Sequence, residues 1–570
     1  MRASAALPSP AAVSTATAAW VSRKRAFAER WRWWFVGAFV ATQWIFVGRE
    51  ALFRIQHNGW IYQHGDDGQW YWTTAWTLTS LHVPLTGVGL GWPYLLSPFA
   101  AIAGPNMADG LPFIIALNIL ILAPLAVVGM YLVGERIAGR LFGVWSAGVF
   151  VALPVVALLL YNSRERPTVV ETFLPTATGI NALSDYPSMV CAIYAAYLLL
   201  RALDHDDVRL GLLCGCVLGF LVLLKPANGP LVVVGGLILA ATLRHRALLG
   251  AVVGIIPALI ALTLWKKTGF GYVPLFAFAT VREALGSTPV VGGVHDYLTL
   301  NGGHLRENLH ELREVFWSLR LLEFTLVAGT VGLVARARWK GALVAGWFLG
   351  YALVKGTATE SGVYSTSLYR LMLPAWPAWT LLVAALVFCW PIGVARRRKQ
   401  TTADAARAQP PRPVDRRVLL AAVLLLAVGP LVVAAAATPI PRDSVAQAYV
   451  GDGLRGSPVP VVDFHLHLQR VNDNTVALRW GDLSTSHADT IYWVYKADNI
   501  GCKHDKRGAP VCFRNMTLIG TTRRSEFVDA GANRRFFYRI ALGSSAQATN
   551  SDNPDLLLLS DPVMISAPAR

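Results

Sequence analysis

Two adjacent carboxylates, Asp66 and Asp67, stand between Gly65 and Gly68 and are followed by Gln69, Trp70, Tyr71 and Trp72. A carboxylate in this setting can serve as general base toward an acceptor hydroxyl within hydrogen-bond reach. The rings of Trp70 and Trp72 suit the apolar faces of sugars. If Asp67 to Trp76 is helical, Asp67 and Tyr71 lie one turn apart on one face. Gly-Asp-Asp-Gly is also good turn chemistry, so the stretch alone reads either as a site or as a solvated turn. Three other polar features stand near the ends of apolar runs: Asp185 in Ser184-Asp185-Tyr186-Pro187-Ser188, Lys225 before Pro226, and the pair Tyr369-Arg370. Each has a plain structural alternative: a helix cap for Asp185, a snorkelling amine for Lys225, a topological anchor for Arg370. Read together they supply a base and two cations, and cations are what a departing phosphate needs. That chemistry is transfer of a group from a lipid-anchored phosphate donor to a hydroxyl acceptor.

Such residues must be positioned by membrane-embedded elements. The 570 residues are 54% hydrophobic and only 15% charged, with a mean hydropathy of +0.45, which fits a polytopic membrane protein and not a soluble enzyme. The formal net charge of +17 does not imply nucleic acid. Its basic residues cluster between apolar runs, as at Arg336, Arg338 and Lys340 or at Arg396, Arg397, Arg398 and Lys399, which is how cytoplasmic loops are marked. Membrane lipids, and no nucleic acid, are the implied surroundings.

Eleven segments are expected to span. They run about Trp33 to Phe53, Leu111 to Val133, Leu141 to Tyr161, Ser188 to Leu203, Leu210 to Leu224, a sixth ending at Arg244, Leu248 to Trp265, Leu321 to Val334, Gly341 to Val354, Met372 to Pro391 and Val418 to Ala437. The basic N-terminal tail, residues 1–32, shows no cleavable leader pattern and is expected inside. This topology puts Asp66, Asp67, Asp185, Lys225 and Arg370 together on the outer side. The acidic turn Asp204-His205-Asp206-Asp207 is an exception to the positive-inside pattern. The proline-broken run from Gly91 to Pro98 is expected along the interface. So is an amphipathic helix from His304 to Trp317, on which Leu305, Leu309, Leu312 and Phe316 recur at helical spacing; His304 and His310 on it read as solvated.

The expected fold is thus a polytopic α-helical membrane protein with a C-terminal all-β sandwich, N-terminus cytoplasmic and C-terminus outside. A transmembrane domain (33–395) is followed by a basic linker (396–417), a last transmembrane helix (418–438) and an extracytoplasmic tail (441–570). In the tail, Thr475 to Trp480, Ile491 to Tyr495 and Phe536 to Leu542 read as strands. Its strand Trp and late Tyr538, with Phe527-Val528-Asp529 before the corner, resemble a fibronectin type III sandwich. Cys502 and Cys512 look like the ends of a disulfide-closed hairpin loop, which implies an oxidising compartment and agrees with an odd number of spans. His465 and His467 alternate as exposed strand residues rather than as metal ligands.

The ordered motifs resemble those of the glycosyltransferase-C superfamily of polyprenol-phosphate-sugar enzymes. Asp66-Asp67-Gly68-Gln69-Trp70-Tyr71 is similar to its Asp-Glu-x-x-Tyr and Asp-Gly-x-Tyr-Tyr motifs in the first outer loop. Ser184-Asp185-Tyr186-Pro187-Ser188 matches a motif at the head of a span. The run from Gly211 to Lys225-Pro226 is similar to its Gly-rich helix ending in Arg/Lys-Pro, and Tyr369-Arg370-Leu371-Met372-Leu373-Pro374 resembles, in reversed order, its Arg-Tyr-Leu-Leu-Pro. The resemblance covers roughly Trp33 to Pro391. It implies an integral-membrane glycosyltransferase that moves a sugar from a polyprenyl-phosphate donor to a glycan or glycolipid acceptor. Asp66 or Asp67 would be the base and, if a divalent cation such as Mg or Mn takes part, its ligands. Lys225 and Arg370 would contact the donor phosphate, with Trp70, Tyr71, Asp185 and Tyr369 on the sugar side. The Ala/Arg-rich composition hints at a bacterial inner membrane, with the site on its periplasmic face. Transfer of a glycan to protein or polymer is the nearest alternative. A lipid-linked sugar flippase or a non-catalytic scaffold displaying the β-domain belongs to other classes; the absence of an evident internal repeat and the outer-loop address of the acidic pair favour an enzyme.

Overall fold

A computed structural model of the chain describes residues 30–49, 67–83, 88–104, 107–163, 173–270, 300–315, 319–358, 361–364, 367–389, 414–439, 464–481, 490–497, 517–544, 556–560 and 563–566. Asp66, Cys502 and Cys512 lie outside them, as do the charged residues Arg164, Glu165, Arg166 and Glu171 of the second loop.

Each of the eleven apolar segments contains helix. A first helix, α1, covers residues 30–49. It is followed by α2 (Asp67–Leu78), β1 (His82–Val83) and α3 (Gly91–Ala103). Next, α4 (Met107–Ala116) continues through a π-helical turn at Leu117–Leu122 into α5 (Ala123–Ala138), and α6 (Arg140–Leu159) returns alongside it. A short helix, α7, covers residues 173–178. Then come α8 (Asp185–Asp204), α9 (Val208–Leu224), α10 (Gly229–Ala241), α11 (His245–Phe270), α12 (Gly302–Val315), α13 (Leu319–Arg336) and α14 (Arg338–Gly356). The helical part closes with α15 (Ser367–Met372), α16 (Trp376–Ala384), and α17 (Arg416–Ala422), which a second π turn joins to α18 (Gly429–Ala436). Six continuous helices among the described residues are long and apolar enough to cross a membrane by length and composition: Gly110–Ala138, Arg140–Leu159, Asp185–Asp204, His245–Gly269, Ser367–Cys389 and Arg416–Ala436. The expected fifth and sixth spans are the shorter apolar helices Val208–Leu224 and Pro226–Ala241.

Small residues decide how this bundle closes. Gly211, Gly215 and Gly219 recur every fourth residue on α9 and face Ala247, Ala251 and Ala258 of α11. A Cβ at Gly215 would stand 2.2 Å from the carbonyl oxygen of Ala251, so the two backbones touch where larger side chains would hold them apart. Gly89 and Gly91 do the same for the segment after β1. A Cβ at Gly89 would lie 2.3 Å from the oxygen of Leu223, which seats this segment on the last turn of α9. The proline-containing run that follows is helical. It is helix α3, with Trp92, Leu96 and Ala100 buried and the Trp92 indole donating to the Ala182 carbonyl at 3.0 Å.

α12 is amphipathic, as its periodicity predicts, but its buried stripe includes one polar residue. Asn308 is buried and donates to the Gly356 carbonyl at 2.9 Å and to Ser361 Oγ at 2.8 Å, while Leu309 is exposed. The inner stripe runs through Leu305, Asn308, Leu312 and Val315, so the helix packs on the end of α14 as well as presenting Leu309 outward.

The acidic turn after α8 has a structural explanation. Asp204 sits between the Lys340 ammonium (2.8 Å) and the Arg136 guanidinium (3.9 Å). Asp206 accepts from the Ala247 amide at the start of α11, and Asp207 caps α9 through the Arg209 amide, both at 2.8 Å. Carboxylates at helix N-termini and beside cations cost little at a membrane edge.

β1 pairs in parallel with β2 (Thr438–Pro439), which ties the end of α18 to the segment after α2. In the tail, β3 (His467–Asn472), β4 (Thr475–Arg479) and β7 (Glu526–Asp529) form one antiparallel sheet in the order β3-β4-β7. A second sheet has the order β10-β8-β5-β6, with β5 at Thr490–Ala497, β6 at Thr517–Thr522, β8 at Phe536–Ser544, β10 at Val563–Ile565, and β9 (Leu556–Leu559) also on β8. Val476 and Leu478 of the first sheet share one core with Tyr492, Val494, Tyr538 and Ile540 of the second. His465 and His467 are exposed, as expected.

Candidate functional site

Asp185 is the first residue of α8, one position inside the N-cap Ser184, whose side chain makes no cap bond. It is not a helix cap, and it is 2% exposed. One oxygen meets the Lys225 ammonium at 2.6 Å and the other faces Arg370 Nε at 3.7 Å. Lys225 follows the last residue of α9 in extended backbone, because Pro226 cannot continue the helix and biases its predecessor out of the helical region. Arg370 lies in the short α15, before the 3-10 turn Leu373–Ala375. Three separate elements thus bring one anion and two cations together, with the lysine and arginine side chains 18% and 20% exposed.

Buried polar side chains tie the surrounding helices together. Asn228, buried three residues after Lys225, donates to Ser188 Oγ and to the Leu221 carbonyl, both at 3.0 Å, and accepts from Tyr351 of α14 at 3.1 Å. One amide side chain therefore locks α8, α9 and α14 at the end that carries the site. The Lys266 ammonium, buried in the last turns of α11, donates to the Val88 carbonyl at 3.2 Å, and Trp265 Nε1 reaches the same oxygen at 3.3 Å. Val88 adjoins Gly89, which lies on Leu223 two residues before Lys225, so Lys266 belongs to this end of the bundle.

α2 joins the same constellation. The Ser184 hydroxyl donates to the Tyr71 hydroxyl at 2.6 Å, and the Trp72 indole donates to the Gly104 carbonyl at 3.1 Å. Asp67 opens α2 one turn before Tyr71, about 6 Å along the axis at the usual helical rise. The helix anticipated from Asp67 onward is present; Asp66 and the side chains of Asp67, Gln69 and Trp70 are outside the described set. Tyr369 makes edge contacts with Tyr161 and Phe173 at ring distances of 5.9 and 5.7 Å.

The structure therefore brings Asp185, Lys225 and Arg370 into one ion-paired group, with Tyr71 one residue away through Ser184. Asp185, expected toward the sugar, has both oxygens on cations. Sequence reasoning missed the Ser184–Tyr71 contact and Lys266; the latter's only signal was a lysine breaking an apolar run directly after Trp265. Among the described residues no group of three or more His, Cys, Asp or Glu is placed to hold a metal ion.

No family model matches the sequence, and no curated protein does. Among solved structures the fold is similar to the oligosaccharyltransferase AglB of the archaeon Archaeoglobus fulgidus, in a complex with an inhibitory peptide and a dolichol-phosphate, at 14% identity and a TM-score of 0.39. The apo form of the Archaeoglobus fulgidus oligosaccharyltransferase gives 12% and 0.40, and the form tethered to an acceptor peptide 13% and 0.39. The matches cover 72, 73 and 76% of this chain and 57, 57 and 60% of those chains.

Proposed function

We propose that the chain is an integral-membrane glycosyltransferase of the glycosyltransferase-C type, taking a sugar from a polyprenyl-phosphate donor to a hydroxyl of a glycan or glycolipid. The observation that carries this reading is the buried Asp185 shared by Lys225 and Arg370 at the end of the bundle to which α2, opening at Asp67, is pinned. A carboxylate held this far from water is costly unless paired, and its pairing here fixes two cations in place. Lys225 and Arg370 keep part of their surface exposed and can turn donor hydrogens to a phosphate oxygen.

In the reaction, the bond between the anomeric carbon and the phosphate oxygen breaks while the acceptor oxygen bonds to that carbon. The acceptor proton passes to Asp66 or Asp67, the negative charge of the departing polyprenyl phosphate falls on Lys225 and Arg370, and Asp185 holds those cations in register. A divalent cation, if the reaction uses one, would be held by Asp66 and Asp67. The site would face the periplasm of a bacterial inner membrane, and the two-sheet tail would be a fibronectin type III-like module on that side.

The test offers purified protein labelled polyprenyl-phosphate sugars with candidate acceptors. Asp66→Asn or Asp67→Asn is expected to lower transfer by about 100-fold or more, in the range of a lost general base. Full transfer by both variants would reject the carboxylate mechanism, and lipid movement across proteoliposomes without donor consumption would replace the enzyme by a flippase.

A further inference from the structure

At the opposite end of α8 a second charged group surrounds Asp204 and His205. Asp185 and Asp204 begin and end a 20-residue helix, so the two groups stand about 30 Å apart. Lys340 of α14 reaches both Asp204 oxygens, at 2.8 and 3.0 Å, and the Arg136 carbonyl at 2.7 Å. Arg136 adds its guanidinium 3.9 Å from the same carboxylate. Burial lowers the His205 pKa, and the charges of Arg136, Arg201 and Arg244 lower it further against the pull of Asp204. The neighbouring carboxylates are engaged elsewhere: Asp206 and Asp207 with helix N-termini, Glu135 with Arg140 at 3.3 Å.

Arg244 is the residue this network leaves over. Its Nε is buried without a hydrogen-bond partner, and it makes no ion pair among the described residues. It sits in the turn between α10 and α11, where its amide closes back on the Leu239 carbonyl and Leu243 takes a left-handed conformation, φ +57°. Glycine normally fills that position. Leucine occupies it here and is 69% exposed, and Leu237 and Leu249, six residues before and after it in the chain, are exposed as well. An arginine whose Nε is buried without a partner thus lies beside an exposed leucine that an acyl chain would cover and a dissolved anion would not.

We propose that this turn, with the ends of α5, α8 and α14, binds the headgroup phosphate of an anionic phospholipid, Arg244 making the primary contact and Leu243 meeting the acyl chain. Basic pockets between transmembrane helices are suited to such headgroups. The assignment is independent of the transferase reading, since it uses none of that site's residues.

Purified full-length protein in non-ionic detergent would be titrated with phosphatidylglycerol, phosphatidylcholine or inorganic phosphate, with bound lipid read by native mass spectrometry and stability by thermal shift. Phosphatidylglycerol is expected to bind and raise the melting temperature, and phosphatidylcholine to do so weakly. Arg244→Gln should weaken phosphatidylglycerol binding about five-fold, the scale of one basic contact at a membrane surface, while Arg246→Gln, an exposed arginine two residues on, leaves it unchanged. Leu243→Gly removes the backbone strain, so its fold is not at risk, and it should also bind the lipid more weakly. Equal binding by wild type and Arg244→Gln overturns the proposal, as does an equal loss in Arg246→Gln. Undiminished lipid binding by Leu243→Gly rejects the acyl contact, and an equal thermal shift from inorganic phosphate assigns the pocket to a free anion instead.

Discussion

At the scale of the residue, the site rests on unequal bonds to one buried carboxylate. The 2.6 Å contact from Lys225 is a short charge-assisted hydrogen bond, whereas Arg370 at 3.7 Å contributes mainly through charge. Asp185→Ala removes the carboxylate from the largely buried Lys225 and is expected to cost about 3–5 kcal/mol. Lys225→Met should cost more than Arg370→Met, and the double variant Asp185→Asn/Lys225→Met should recover part of the loss because the broken pair is replaced whole. Thermal unfolding in detergent reads all four; an Arg370→Met penalty equal to that of Lys225→Met would contradict the assigned order.

At the scale of the element, the site depends on how closely α9 and α11 approach. Lys225 ends one helix and Lys266 stands in the last turns of the other, so their separation follows from the glycine and alanine contacts along the pair. Gly215→Leu drives a side chain into the Ala251 carbonyl and is expected to abolish most of the monodisperse protein. Gly236→Leu, on the open face of α10 where a Cβ would meet nothing within 4 Å, should be tolerated. Size-exclusion profiles of the two variants compare them directly, and similar yields would show that the close approach is dispensable.

For the molecule as a whole, the two ends of the bundle carry different electrostatics, and the tail carries a third ionic group of its own. Asp529, nearly buried, accepts from Tyr538 and Lys496, both at 2.6 Å, and from the Gly531 amide at 2.9 Å. Burial raises its pKa, but Lys496, Tyr538 and Gly531 together outweigh burial and hold it below the ordinary aspartate range. A depressed carboxylate stabilises the fold fully above its unfolded value, and the contribution is lost as pH falls through the lower folded value. The tail is therefore expected to resist protease down to about pH 4 and to open below it. Lys496→Met should weaken it by about 3–5 kcal/mol at neutral pH, since Asp529 then stays buried without its cation. Limited proteolysis of the full-length chain checks both; a tail equally resistant at pH 3 and pH 7 would argue against the linkage. Cys502 and Cys512 are expected to resist thiol reagents until reduced, which mass mapping of labelled peptides tests.

The amino-acid order alone determined that the chain is helical and apolar, that a β-rich tail follows, and which residues near span ends carry charge, because hydrophobic length and alternation are local properties. It also put Asp185, Lys225 and Arg370 at one end of the bundle. It did not determine that Asp185 would be shared by the two cations, that Gly89 would seat α3 against α9, or that Asn308 would be buried in the inner stripe of α12. Those depend on contacts between residues about 40 to 185 positions apart, where the approach of two backbones decides which side chains can meet. The acidic pair that first suggested chemistry stands between the two cases: its helix begins at Asp67 as the spacing predicts, and a tertiary contact, the Tyr71–Ser184 bond, ties that helix to the residue before Asp185.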